Sequence, residues 1–281
     1  MADATVTVNP TTTPDVQPCI RPSRIFNAAD ADVLIRSCDN VEFRLHKKNL
    51  EFLSGCFPPA NTETDPNEII QLTESGETLE LLFQFMYPQK FPSLTDFEIG
   101  PLTALAEAAE KYEVYALIHI CELHLRSFMR QRPRKILEFA ARHDHLELIQ
   151  EIAPIMVPYL PLSELSTMLT PHLYTPWSVY RECWLQEAIT TIAHSHPHNC
   201  YENLDKMRWG KTVVPLTLHQ SLLLAPFNHN VPKYWESLAS QYENRACCVS
   251  MIESVKAQIG RIVDKIPPLQ LPASAARDAE K

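Results

Sequence analysis

A chain of 281 residues with 45% hydrophobic and 21% charged side chains is long enough for one large hydrophobic core or two smaller ones. Its formal net charge of -9 excludes a general nucleic-acid binder, which needs a basic face to neutralise phosphate. Only 5 glycines accompany 23 prolines, and Gly55, Gly76, Gly100, Gly210 and Gly260 all stand alone. Isolated glycines cannot build GxGxxG or GxxxxGK[ST], so both common nucleotide-binding loops are excluded as well.

The opening stretch, MADATVTVNPTTTPDVQP, has no basic start and no apolar run, so no signal peptide is expected. Residues 1–24 are rich in Thr and Pro, lack periodicity and are expected to be a disordered leader. From Phe26 the pattern becomes ordered. ADVLIRS (residues 31–37) reads as a strand, CDN as a tight turn and VEFRL as the return strand of a hairpin. After His46 the apolar spacing changes from every second residue to three- and four-residue steps at Leu50, Leu53 and Phe57, which predicts a helix to about Gly55. The loop PPANTETDPN leads into EIIQL, expected as a short buried strand. Leu79, Leu82, Phe83 and Met86 form one helical stripe, stopped by Pro88. PLTALAEAAEKYEV and YALIHICELHLRSFM predict a helical pair.

Beyond residue 130 strand signals fade. PRKILEFAARHDHLELIQEIAPIMV predicts two short helices meeting near Asp144, the first opened by Pro133 and the second limited by Pro154 and Pro158. LPLSELSTML is another short helix, and SVYRECWLQEAITTIAHSH a longer amphipathic one. Two or three helices follow to about Pro267, with Trp209 and Trp235 as expected core anchors. IAPIMVPYLPL is too short and too rich in proline to span a bilayer, so no membrane partner is expected. The 8 cysteines have irregular spacing and no CxxC pair, which suits reduced thiols in a cytoplasmic or nuclear protein.

Several clusters carry potential chemistry. HSHPHNC holds His194, His196, His198 and Cys200, all zinc ligands in kind. Pro197 and the preceding helix favour a loop, and a dense tract lacks the second ligand pair of a structural zinc site. The plainer account is a helix end whose histidines suit the negative dipole terminus. A metal-dependent enzyme centred on His194–Cys200 is the reading of another class, and no metal or other cofactor is expected. CELH places Cys121 and His124 on one helical face, with apolar neighbours that predict a core cysteine. His143, Asp144 and His145 in RHDHLE predict a solvated turn. Arg130, Arg132, Arg134 and Lys135 form a basic run, read as a solvated linker before a nuclear-import or phosphate-contact patch. HExxH and GxSxG are absent, and nothing is spaced to make His46 a catalytic base, so no catalytic residues are expected.

The order hairpin, helix, strand and helical pairs, with the residues that fill it, resembles a BTB/POZ domain. DADVLIRSCDNVEFRLHKKNLEFLSGCF is similar to that family's signature, with Asp32 and Val33 at the first strand and His46, Leu50, Ser54 and Phe57 following. LELLFQFMYPQKF resembles the helix ending in a tyrosine, here Tyr87, and LAEAAEKYEVYALIHICELHL the helical pair around Tyr112. The whole chain is similar to BTB proteins numerous in mushroom-forming fungi, and PRKILEFAARHDHLELIQEIA resembles a BACK-type extension.

The resemblance implies an α+β fold: a small, mainly antiparallel sheet covered by helices, then an all-α region. The implied organisation is a leader at 1–24, a BTB/POZ domain at 25–130, BACK-like helices at 131–170, a helical region at 171–268 and a loose tail at 269–281. It implies a non-enzymatic scaffold or adaptor that binds other proteins, or more narrowly a substrate-recruiting adaptor of a cullin-RING ubiquitin ligase. Candidate interaction residues are Asp32 and Lys47, which match a charged pocket of transcription-regulating relatives, and Phe57. His46 is implied to close the strand–helix junction, where its ring could bond backbone groups left free at the helix start. Homodimerisation is a further implied property. However, PTTTPDVQPCIRPSRIF has four prolines and no leucine stripe, so the amphipathic helix that usually leads the dimer is not expected. The loop PPANTETDPNE carries no clear copy of the hydrophobic-x-Glu element of cullin binders.

Overall fold

The computed structural model describes residues 20–62, 68–158, 160–194, 240, 249–250, 253–254, 257–258 and 261–272. The chain divides into two compact units, Met1–Cys121 and Glu122–Lys281.

The first unit holds a four-stranded sheet in the order β1-β3-β2-β4. Its strands are β1 (Arg21–Asn27), β2 (Val33–Arg36), β3 (Val41–Leu45) and β4 (Ile69–Gln71). β2 and β3 are the expected antiparallel hairpin, with Ile35 opposite Phe43. Both side chains are fully buried, as period-two patterning requires. Asn40 turns the corner at φ 63°, a left-handed conformation that Asn tolerates better than most residues. β1 pairs parallel with β3 and β4 pairs parallel with β2, so the sheet is mixed where a mainly antiparallel one was expected. The α+β class stands. β4 is an edge strand rather than a buried one: Ile69 is 38% exposed, because only one side of the strand has a neighbour in the sheet.

β1 begins inside the stretch expected to be disordered. The reason is local. The Ser23 hydroxyl accepts hydrogen bonds from the N–H groups of Ile25 and Phe26 and donates to Glu80. This side chain replaces ladder bonds where the β1–β3 register shifts. Phe26 is thereby carried into a ring cluster with Phe43 and Phe83, at centroid distances of 6.4 and 5.9 Å.

Helix α1 (Lys47–Leu53) follows β3, and α2 (Gly76–Gln84) follows β4. The stripe Leu79, Leu82, Phe83 and Met86 is wholly buried, each side chain contributing about 1.5–3 kcal/mol. α2 starts at an N-cap, with Ser75 accepting from the Thr78 N–H. It also starts against the hairpin turn, where the Gly76 N–H donates to Asp39 at 2.7 Å. A Cβ at Gly76 would overlap Val41, coming within 2.8 Å of its Cβ, so only glycine allows this approach. α3 (Ile99–Lys111) ends with Glu113 at φ 54°. The Val114 N–H reaches back to the Ala109 carbonyl and the Glu113 N–H to that of Glu110, a Schellman closure made without glycine. α4 (Tyr115–Arg126) completes the helical pair, and the division between the units falls within it. Cys121 is a core residue as expected; burial pushes its thiol up to about 12.

In the second unit α5 (Pro133–Arg142) and α6 (Leu146–Met156) meet at Asp144, whose φ is 55°. The turn is less solvated than expected. The His145 ring stacks on Phe139 at 5.2 Å, and its Nδ1 lies 3.2 Å from a Glu122 carboxylate oxygen. The basic run is not a free linker either: Pro133 opens α5, and Arg134 pairs with Glu138 and Glu164, both at 2.9 Å. Pro154 lies inside α6 instead of limiting it; near the last turn it costs one backbone bond. α7 (Leu162–Met168) is the expected short helix. α8 (Pro171–His194) begins earlier than expected and contains Pro176. Its stripe Leu173, Trp177, Tyr180, Trp184, Ala188 and Thr191 is buried. Trp177 and Trp184 are the large anchors here, while Trp209 and Trp235 lie outside the described residues. A short 3-10 turn covers Ile262–Asp264. The expected loose tail is tied at its start: Leu269 is buried and its carbonyl accepts from the Gln150 side chain.

Candidate interaction site

The residues singled out from the sequence converge on the two ends of α1. At the start, His46 occupies the N-cap with extended backbone, but its ring caps nothing. Two other side chains do that work. Asp32 accepts from the Lys47 N–H at 2.7 Å, and the Tyr87 hydroxyl accepts from the His46 N–H at 2.9 Å. The carboxylate at a helix start also suits the dipole. The His46 Nδ1 lies 3.1 Å from the same Tyr87 hydroxyl, and Nε2 lies 3.4 Å from an Asp30 carboxylate oxygen. Burial pushes the Tyr87 hydroxyl above its ordinary value, which keeps it protonated. His46 is therefore a half-buried peg between a tyrosine and an acid, and the capping role expected of it belongs to Asp32 and Tyr87.

Asp32 and Lys47 meet differently from a buried ion pair. Asp32 is exposed and bonds the Lys47 backbone, while the Lys47 ammonium donates to the Thr62 carbonyl at 3.0 Å.

At the other end of α1 the chain is pinned to the end of α3. Leu50 points into the core. The Ser54 hydroxyl donates to the Tyr112 carbonyl and accepts from the N–H groups of Cys56 and Phe57. The Gly55 N–H donates to the Glu113 carbonyl at 3.2 Å. Phe57 stacks on Tyr112 with centroids 5.3 Å apart, so this candidate contact residue is half spent on the fold. The Tyr112 hydroxyl donates to Glu74 at 2.6 Å. Burial and that carboxylate push the tyrosine's titration well up. Burial alone would raise Glu74 too, but hydrogen bonds from Lys111 and Tyr112 outweigh it and hold the carboxyl below its ordinary value.

The face that remains open was missed from the sequence. Phe52 is 85% exposed and Phe91 is 43% exposed. Both line a groove of about 670 Å³ with Leu53, Met86, Tyr87 and Pro88. Exposed aromatic residues gathered on one surface are a mark of contact sites. An exposed position on a short helix could have flagged Phe52 alone, but nothing local places Phe91 beside it.

No group of three or more His, Cys, Asp or Glu among the described residues is placed to hold a metal ion. His196, His198, Cys200 and the side chain of His194 lie outside the described residues. Among the described residues no helix is long and apolar enough to cross a membrane.

A search of the curated proteins finds no match to the chain. The family model for the BTB/POZ domain matches residues 25–128. BTB domains mediate protein–protein interactions, including dimerisation and cullin binding, and are usually not enzymes. Apart from the first four residues of β1, the sheet, the α1 junction and the α3–α4 pair fall in that stretch, and residues 25–128 are a BTB/POZ domain.

Proposed function

We propose that the chain is a non-enzymatic adaptor or scaffold that binds other proteins through its BTB/POZ domain. The observation that carries this reading is the BTB/POZ match over residues 25–128. The exposed aromatic groove on the same domain supports it, since it offers a surface that the fold itself does not use. In this reading α5 and α6 are the first helices of a BACK-like extension, a likeness supported by their tight junction at Asp144. Four free cysteines among the described residues suit work in the reducing cytoplasm or nucleus. The kinship with BTB proteins of mushroom-forming fungi rests on the sequence likeness.

The test is cross-linking of the tagged full chain in cells, followed by purification and mass spectrometry of the linked peptides. The expected result is another polypeptide joined in comparable amount through lysines between residues 25 and 128. A cullin among the linked chains would narrow the role to recruitment of ubiquitin-ligase substrates. A chain recovered only unlinked would sink the adaptor reading.

A further inference from the structure

The groove beside α1 has a charge as well as a shape. Lys48 lines it, and Lys90 stands in the chain between two lining residues, Gln89 and Phe91. Both lysines are exposed, and neither has an ion pair or hydrogen-bond partner among the described residues. No Asp or Glu among the described residues lines the groove. Two such cations, one on the groove wall and one next to it in the chain, stand out in a chain of net charge -9. The apolar part is preformed on one wall, because the Phe91 ring packs on buried Phe85 with centroids 4.9 Å apart. The other aromatic wall is Phe52, whose ring stacks on no other ring among the described residues. Leu53 adds apolar surface over the buried Met86, and Tyr87 ties the groove to the α1 junction.

We infer that this groove, lined by Phe52, Leu53, Tyr87 and Phe91, with Lys48 on its wall and Lys90 next to it in the chain, is the docking site for a short acidic segment of a partner protein. The segment carries two or more bulky apolar side chains flanked by Asp or Glu. The volume of about 670 Å³ lies within the range of about 300–1,000 Å³ typical of ligand sites. The apolar anchors displace water from the aromatic walls, which is where binding energy concentrates. The flanking carboxylates meet two ammonium groups that have no other partner among the described residues, which favours acidic over basic segments and speeds encounter. Basic segments would be repelled by the same cations. This assignment rests on the adaptor reading and names the partner's chemistry.

A phage-displayed library of random dodecapeptides, selected on the full chain and counter-selected on its Phe52→Arg variant, tests it. Phe52 is 85% exposed, so the variant is expected to fold, which a thermal melt checks. Val179→Arg on α8, at another exposed apolar position, is the control. Enriched peptides are expected to be acidic, with at least two bulky apolar residues. Their affinity, read by fluorescence anisotropy, is expected to fall by at least about tenfold in Phe52→Arg and in Phe91→Ala, and to be unchanged in Val179→Arg. Lys48→Glu combined with Lys90→Glu is expected to weaken them by a similar factor and to flatten the salt dependence. No enrichment, peptides without acidic bias, or peptides indifferent to Phe52 would each overturn the assignment. Light scattering adds one more decisive outcome: a dimer that Phe52→Arg converts to monomer would make the groove a contact between copies and refute the proposal. If cross-linking finds a partner on another surface while selection fails, the groove assignment falls and the adaptor reading stands.

Discussion

Leu50 and Phe52 share the short helix α1 and have opposite fates: one is 2% exposed, the other 85%. The difference runs through the whole domain. Residues on the Leu50 side, with His46, Ser54, Tyr87 and Tyr112, are consumed by packing and hydrogen bonds that fix α1 against the sheet and α3. Residues on the Phe52 side touch little and enclose the groove. The positions by which the family is recognised thus build the scaffold, and the residues free to bind lie beside them. The most direct way to break this division is Leu50→Ala. Loss of a fully packed leucine should cost about 2–5 kcal/mol, seen as a lower urea midpoint for the full chain. An unshifted midpoint would mean that α1 contributes nothing to the core.

A second substitution tests how tightly α2 meets the hairpin. Gly76→Ala places a methyl group against the branched, short side chain of Val41, which has no flexible end to move away. The expected loss is about 1–3 kcal/mol, again read as a urea midpoint. Tyr87→Phe is gentler. It removes the acceptor of the His46 N–H and the partner of its ring, and should cost about 1 kcal/mol because water reaches part of the junction. It should leave peptide binding at the groove nearly intact, since the tyrosine ring remains as a wall. A large loss of binding without a loss of stability would shift Tyr87 from the scaffold side of the comparison to the open side.

Where the sequence was legible, a local period matched the structure. The β2–β3 hairpin showed itself by alternation, and α2 by apolar steps of three and four, because each element buries one face against one neighbour. β1 was illegible for the opposite reason. Its buried residues, Ser23 and Phe26, are three apart, and a serine side chain stands in for ladder bonds, so neither strand period survives. The α1 junction divided in the same way. His46 could be placed at the joint, but the groups that satisfy the free N–H donors come from Asp32 and Tyr87, 15 and 41 residues away from their partners. Such pairings depend on the assembled fold. The groove is less legible still, because Phe91 reaches it only through its packing on Phe85. Trp177 escaped notice because two prolines, Pro171 and Pro176, disguise the start of α8.

The scaffold side also carries a charge whose removal sharpens the comparison by pH. The Glu74 carboxyl is held below its ordinary 4.5, net of the opposing effect of burial, by Lys111 and Tyr112. In the unfolded chain it takes up a proton more readily than in the folded one, so folding is favoured by an ionised Glu74. That contribution is complete above pH 4.5 and is lost as pH falls through the lower folded value. Glu74→Gln should lower the urea midpoint at pH 7 and reduce the further drop between pH 5 and about pH 3. An unchanged acid slope would show that the Lys111–Glu74–Tyr112 contacts are not coupled to folding. Groove variants that add no carboxyl, such as Lys48→Gln, should not alter that slope, because Lys48 has no partner among the described residues.

The smallest expected effect on stability falls on the most exposed large hydrophobic side chain among the described residues. Phe52→Ala should change the urea midpoint by no more than about 0.5 kcal/mol, the usual range for surface positions without partners. Alanine also suits a helix at least as well as phenylalanine, so a slight gain would strengthen the case. A phenylalanine that contributes nothing to folding but exposes its ring to water is retained at a cost in solubility. If its removal instead destabilises the chain by as much as Leu50→Ala, Phe52 is buried in the folded protein in solution, the groove is closed, and α1 has one face rather than two. The pair of midpoints, measured side by side, therefore decides whether the open face of α1 exists before any partner is sought.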